Sequence, residues 1–315
     1  MKPLKSAIYH VTLVIFGVTL SLFVGEILLR VIKPSISYPF MPQTIIIDFF
    51  DNDEHAEFSL LKKYVGKFSM SVAAFDSVVK TNKEGFRDKE LDNREKALVF
   101  GDSFIFGFGV NNGQTIPDHI EEEFGEAVDF VNLGYATGRS PDSYAIWLKY
   151  NPNYQNLPTI VTLYSNDLVD IEGNKCFNKN EVLVNSLSSK ECYKIKNSEY
   201  MVKDGRLLEK SFITDNFDKN TITLLKKTWL IGFLRDRLAL AKMHGLNKKP
   251  KFTEELQSSF INEKEAYDRL EMSLLMIKNM SSKMALITIV SSAGKGGTED
   301  TLYKFIEKIA LEHNL

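Results

Sequence analysis

The sequence predicts an α/β/α domain built on a parallel sheet, preceded by one N-terminal transmembrane helix. Two observations carry this expectation. From residue 97 onward, short apolar runs alternate with segments of helical spacing. Strand, helix, strand, helix in that order implies a parallel sheet covered on both faces. Near the N-terminus, by contrast, the run from Val11 to Gly25 holds only apolar, small or hydroxyl side chains, with no polar stripe to mark a solvated face.

A chain of 315 residues, 44% hydrophobic and 25% charged, is long enough to bury one large core or two small ones. Its formal net charge of -2 shows no concentrated basic excess, so no nucleic-acid partner is expected.

The first element is the anchor, residues 1–32. A helix from Ala7 to Ile32, rising ~1.5 Å per residue, crosses a hydrocarbon core of ~30 Å. Lys2 and Lys5 precede it, which places the N-terminus in the cytoplasm and exports the rest to the periplasm or cell surface. The run closes on Glu26, Leu28, Leu29 and Arg30 without a small-x-small cleavage pattern, so an uncleaved anchor is expected rather than a signal peptide. Glu26 and Arg30, four apart near the outer end, can pair and snorkel. Residues 33–95 read as a juxtamembrane connector and lead-in, opening with Pro34 and Pro39 and closing on the polar "TNKEGFRDKELDNREK".

The domain proper is expected over 96–315. Ala97 to Phe100 is a short buried strand, and Thr115 to Phe124 a helix with Ile116, Ile120 and Phe124 at helical spacing. Val128 to Leu133 is a second strand, Pro141 to Tyr150 a helix with proline in its first turn, and Thr159 to Tyr164 a third strand. An insertion at about 170–264 interrupts the pattern. It contains a basic amphipathic stretch, 221–243, expected to pack as a lid or satellite helix, with the membrane surface as the other possibility. The alternation resumes with a helix from Glu265 to Met280, a strand from Met284 to Val290 and a helix from about Glu299 to His313.

The insertion also holds the only two cysteines, Cys176 and Cys192. In an exported domain they are a disulfide candidate, contributing ~3 kcal/mol in the chain-entropy model. No histidine sits near them to complete a metal set, and neither metal nor cofactor is expected.

In a parallel sheet, ligands sit at the carboxyl ends of the strands. Three polar turns fall there: Ser103 after the first strand, "NLGYATGRS" after the second, and "SND" after the third. Each alone is compatible with ordinary turn chemistry. Together they are complementary: a serine exposed at a strand-to-helix turn can act as a nucleophile, and acyl transfer needs donors aimed at the developing oxyanion. The Ser103 N–H, a glycine N–H and the Asn166 amide would supply three.

These residues resemble the SGNH or GDSL hydrolase family. "VFGDSFIFGFGV" is similar to its serine block, "VNLGYATG" to its glycine block and "YSNDL" to its asparagine block. "TNKEGFRDKE" is similar to what precedes the serine block in exported, membrane-anchored members. The resemblance runs from about residue 81 to 170, weakens over 265 to 313 and is absent from the insertion. It implies a flavodoxin-like sheet, Ser103 as nucleophile, and an oxyanion hole made of the Ser103 N–H, a glycine and Asn166. Spacing from Asn132 leaves Gly134 and Gly138 both open, with Gly138 preferred. Tyr164 stands where many members carry glycine.

The family's base lies in a C-terminal Asp-x-x-His block that does not occur in this sequence, which reads "LEHNL" at its end. The histidines present are His10, His55, His119, His244 and His313, and none is placed by its segment as a convincing base. Three readings stay open: the block lies beyond Leu315, His244 of the insertion reaches the site, or the domain binds acylated ligands without turning them over. The expected function is a serine esterase or O-acyltransferase acting on acylated carbohydrate or lipid of the cell envelope. The alternative is a non-catalytic glycan-binding or scaffold module. A nucleotide site is disfavoured, because Phe104, Phe106 and Phe108 crowd the turn where a phosphate would sit.

Overall fold

The computed structural model describes residues 2–32, 49–70, 75–136, 139–184, 187–188, 190–197, 200–203, 206–209, 263–289 and 298–315. The stretch 221–243, His244 and Gly138 lie outside the described residues. The chain divides into two units, one comprising Met1–Ile45, Met70–Phe75 and Ile213–Lys248, the other the remainder.

In the first unit, α1 (Lys2–Ile32) is one continuous helix. Val14, Ile15, Phe16 and Phe23 on it are 61–65% exposed. Among the described residues no helix is long and apolar enough to cross a membrane. The side chains described for α1 are those of His10 and of Thr12 to Leu28, a run shorter than the ~20 residues a span requires.

Two strand pairs come next along the chain, β1 (Phe50–Asp53) with β2 (Glu57–Leu60), and β3 (Val65–Met70) with β4 (Phe75–Lys80). The second unit begins at Ile46, ahead of residue 96, where the alternating pattern of the domain starts in the sequence. Phe49, Phe50 and Phe58 are buried, the Phe49 ring stacks on Phe106 at 5.6 Å, and buried Arg139 donates to the Ala56 and Phe58 carbonyls. Scattered aromatics without a helical or strand period conceal such packing in a sequence.

The central sheet follows. β5 (Glu95–Gly101) leads into α2 (Ser103–Phe106) and α3 (Ile116–Phe124), then β6 (Val128–Gly134), α4 (Pro141–Tyr150), β7 (Thr159–Leu163) and α5 (Asp167–Gly173). Thr115 caps α3 through a reciprocal box with Asp118, which is why that helix starts at Ile116. The insertion contributes β8 (Asn174–Phe177), β9 (Leu183–Val184) and β10 (Lys194–Asn197), an antiparallel trio, and the hairpin β11 (Tyr200–Lys203) with β12 (Arg206–Glu209). A disulfide joins Cys176 on β8 to Cys192, inside a small apolar cluster with Ile146, Leu187 and Ile195. The chain then returns through α6 (Glu263–Met280), β13 (Met284–Thr288) and α7 (Thr298–His313).

The sheet is parallel throughout, ordered β13-β7-β5-β6. Numbered among themselves these strands run 2-1-3-4, the order of a doubly wound sheet, whose switch point falls between β5 and β7. Alternate residues serve opposite faces. Leu98, Phe100, Val131 and Leu133 join the core against α4, α6 and α7, while Ala97, Val99 and Phe130 pack with Ile105 and Ile120 on the α2 and α3 side.

At the open edge of β6, Asp88 Oδ2 accepts the Asn132 N–H at 2.8 Å. Burial, with a smaller push from the Asp129 charge, raises the Asp88 carboxyl to about 7. The folded chain therefore holds a proton there between pH ~4 and pH ~7 that the unfolded chain releases, so this group's contribution to stability falls across that window as pH rises. Asp88→Asn removes the titration. Relative to that variant, the natural chain is expected to lose ~2 kcal/mol of unfolding free energy between pH ~5 and pH ~8. Parallel stability curves for the two proteins would contradict this.

Candidate active site

The turn from β5 into α2 places Ser103. Gly101 ends β5 because a Cβ there would meet Ile105 Cγ1 at 2.3 Å, so only glycine lets the helix fold back so tightly. Asp102 caps α2, its carboxylate accepting the Phe104 N–H at 2.9 Å. Gly107, at φ 84°, closes the single turn, and the Gly107 and Phe108 N–H groups both donate to the Ser103 carbonyl. Ser103 is half-buried. Among the described residues neither its Oγ nor its N–H finds a hydrogen-bond partner.

The asparagine turn meets this one from β7. The Asn166 amide lies against the Asp102 carboxylate and offsets part of the burial that pushes Asp102 up. The same amide donates to Asp170 Oδ2 at 3.3 Å, a long bond that a stronger acceptor can replace. The Phe104 and Tyr164 rings pack edge to face at 5.1 Å. Phe104 is 42% exposed, so an aromatic edge flanks the serine.

Asp167, next in the turn, is buried. Its Oδ2 accepts the Tyr164 N–H at 2.7 Å, and among the described residues its Oδ1 has no partner. Burial first, then the charge of Asp102, pushes its pKa well above the usual carboxylate range. The sequence reading assigned Asp102 and Asp167 no role. Their place in "GDS" and "SND" is the signal that could have singled them out.

The third block joins through β6. Buried Asn132 donates from Nδ2 to the Ile105 carbonyl at 2.9 Å, and its Oδ1 accepts the Gly134 N–H at 2.9 Å. The alternative glycine, Gly134, lies at the end of β6. The Gly134 N–H is already committed to Asn132, and the residue is a point of close approach, where a Cβ would lie 2.1 Å from Phe106 N. The preferred Gly138 is outside the described residues.

The described histidines are engaged elsewhere. The His55 ring stacks on Tyr150 at 3.7 Å and bonds the Tyr193 carbonyl. His119 is exposed beside Glu122, and His313 Nε2 lies 2.7 Å from Glu271 Oε1. His10 is on α1. Two concavities, one beside β13 and α7 and one near Leu91, Arg94 and Tyr154, do not include Ser103.

The fold and the site define a parallel α/β domain presenting a half-buried serine at the switch point of its sheet, with an asparagine amide on the adjoining turn. No protein-family model and no curated protein matches the chain. Among solved structures it is similar to AlinE4, described as an SGNH-hydrolase family esterase, at 26% identity, covering 25% of this chain and 45% of that one, with a TM-score of 0.22. Two variants of the same esterase match at 24% and 25% identity, each covering 26% of this chain and 46% of theirs, also at 0.22. The chain thus spans a little under half the length of these structures.

Proposed function

We propose that this chain is a serine-dependent esterase of SGNH type. It cleaves or transfers acyl groups on carbohydrate or lipid of the cell envelope, and α1 anchors it in the membrane with the domain outside the cytoplasm. The observation that carries the reading is Ser103, whose Oγ and N–H are both unengaged among the described residues, at the switch point and next to Asp102, against which the Asn166 amide lies. The exposed apolar side chains of α1, following Lys2 and Lys5, support the anchor.

In this mechanism Ser103 Oγ attacks the ester carbonyl carbon and gives its proton to a base. The resulting oxyanion accepts the Ser103 N–H and the Asn166 amide, which turns away from Asp170. Collapse breaks the ester C–O bond, the alcohol leaves with the proton, and Ser103 keeps the acyl group until water or a sugar hydroxyl takes it. The base is outside the described residues, where His244 is a candidate. The engagement of the described histidines away from Ser103 favours a second reading, a glycan-binding module with an unactivated serine.

Fluorophosphonate labelling of the detergent-solubilised chain separates the two. One adduct on Ser103 is expected, absent from Ser103→Ala, in a protein that sediments with membranes and becomes soluble when residues 1–32 are deleted. A serine no more reactive than a free hydroxyl would overturn the esterase in favour of the binding module, and unchanged sedimentation after the deletion would overturn the anchor.

A further inference from the structure

Arg87 lies in the lead-in, far from Ser103 in sequence, yet it is 1% exposed. Its Nη1 donates to the carbonyls of Phe106, at 2.8 Å, and Gly107. Its Nη2 donates to the Val110 carbonyl, and its Nε to Asn112 Oδ1 at 3.3 Å. The guanidinium also sits 4.7 Å from the Phe106 ring centroid. Among the described residues its hydrogen-bond acceptors are all neutral oxygens. Burial lowers its pKa to about 10, which leaves it charged at neutral pH.

The Phe106 and Gly107 carbonyls end the one-turn helix that Ser103 begins, and the other two acceptors lie in the loop that follows it. A single turn is not stable alone, and its last carbonyls have no partners within the helix. Asp102 ties down the first turn amide, and Arg87 ties down the last carbonyls. Lysine could not do the same, since only a planar fork reaches three carbonyls and an amide oxygen at once.

We propose that Arg87 is a positioning residue for Ser103, holding the far end of the nucleophile turn so that the serine hydroxyl and N–H face a bound ester together. This rests on the reading of Ser103 as nucleophile, and the test separates the two.

Arg87→Ala and Arg87→Lys are compared with the natural chain by hydrogen exchange and by fluorophosphonate labelling. In Arg87→Ala the Gly107 and Phe108 amides are expected to exchange at least ~10-fold faster while β5 and β6 stay protected. The maximal labelling rate should fall ~100-fold with the half-saturating probe concentration unchanged, and added guanidinium ion should restore part of it. Arg87→Lys should recover only a fraction. Natural exchange and labelling in Arg87→Ala, or full labelling in Arg87→Lys, would overturn the proposal. If no protein labels, the esterase reading fails, and the exchange rates alone decide whether Arg87 holds the turn. If Arg87→Ala does not fold, Arg87→Lys is judged by the same two readouts.

Discussion

Asp142→Ala is expected to destabilise the α/β unit by ~3–5 kcal/mol, the cost of removing one partner of a buried ion pair. The Asp142 side chain is 0% exposed and that of Arg269 11%, with Arg269 Nη2 at 2.9 Å from Asp142 Oδ2. The other oxygen, Oδ1, accepts from Ser140 Oγ, the Ser143 N–H and Asn174 Nδ2. Arg269 also donates to the Asn174 carbonyl, so one carboxylate ties α4 to α6 and to β8. Truncation strands a buried guanidinium and leaves three donors without this acceptor. Asp142→Ala combined with Arg269→Met, which removes both charges, should recover most of the loss. Thermal unfolding of the two variants checks this. A double variant no more stable than Asp142→Ala would mean that packing, not the stranded charge, carries the cost.

Gly134→Ala is expected to cost ~3 kcal/mol or more, at the upper end for overpacking. The added methyl would lie 2.1 Å from Phe106 N, 2.5 Å from Ile105 C and 2.8 Å from Phe106 Cα. All three are backbone atoms of the nucleophile turn, so no side-chain rotation relieves the clash, and β6 or α2 has to move. The variant should lose serine reactivity together with stability. Gly113→Ala provides the comparison. Gly113, unlike Gly134, has a positive φ, 83°, and nothing lies within 4 Å of a Cβ there, so only the backbone conformation is penalised, by ~1–2 kcal/mol. A loss at Gly134 no larger than that at Gly113 would show that β6 and α2 absorb the methyl and that the close approach does not set the cost.

Local pattern was enough to read the sheet. A buried strand must be apolar on both faces and a helix must repeat near every third or fourth residue, so the runs at 97–100, 128–133 and 159–164 and the helix at 141–150 stand out within one or two residues of their observed limits. Chain direction in a parallel sheet then sends every strand's carboxyl end to one edge, which is why Ser103 and Asn166, far apart in sequence, could be expected as neighbours.

Contacts between distant segments leave no such mark. The capture of Arg87 by the Phe106 and Gly107 carbonyls and the packing of Phe49 on Phe106 each join residues with no shared period. What stands against Gly134 is likewise unmarked in the sequence. Gly134 and Gly138 are equivalent as letters, and only the approach of α2 and the bond its N–H gives to Asn132 Oδ1 show that the first is a packing point. Side-chain periodicity reports which way a segment faces. The partner it finds is a matter of distance and direction in three dimensions, and there the order of residues along the chain is silent.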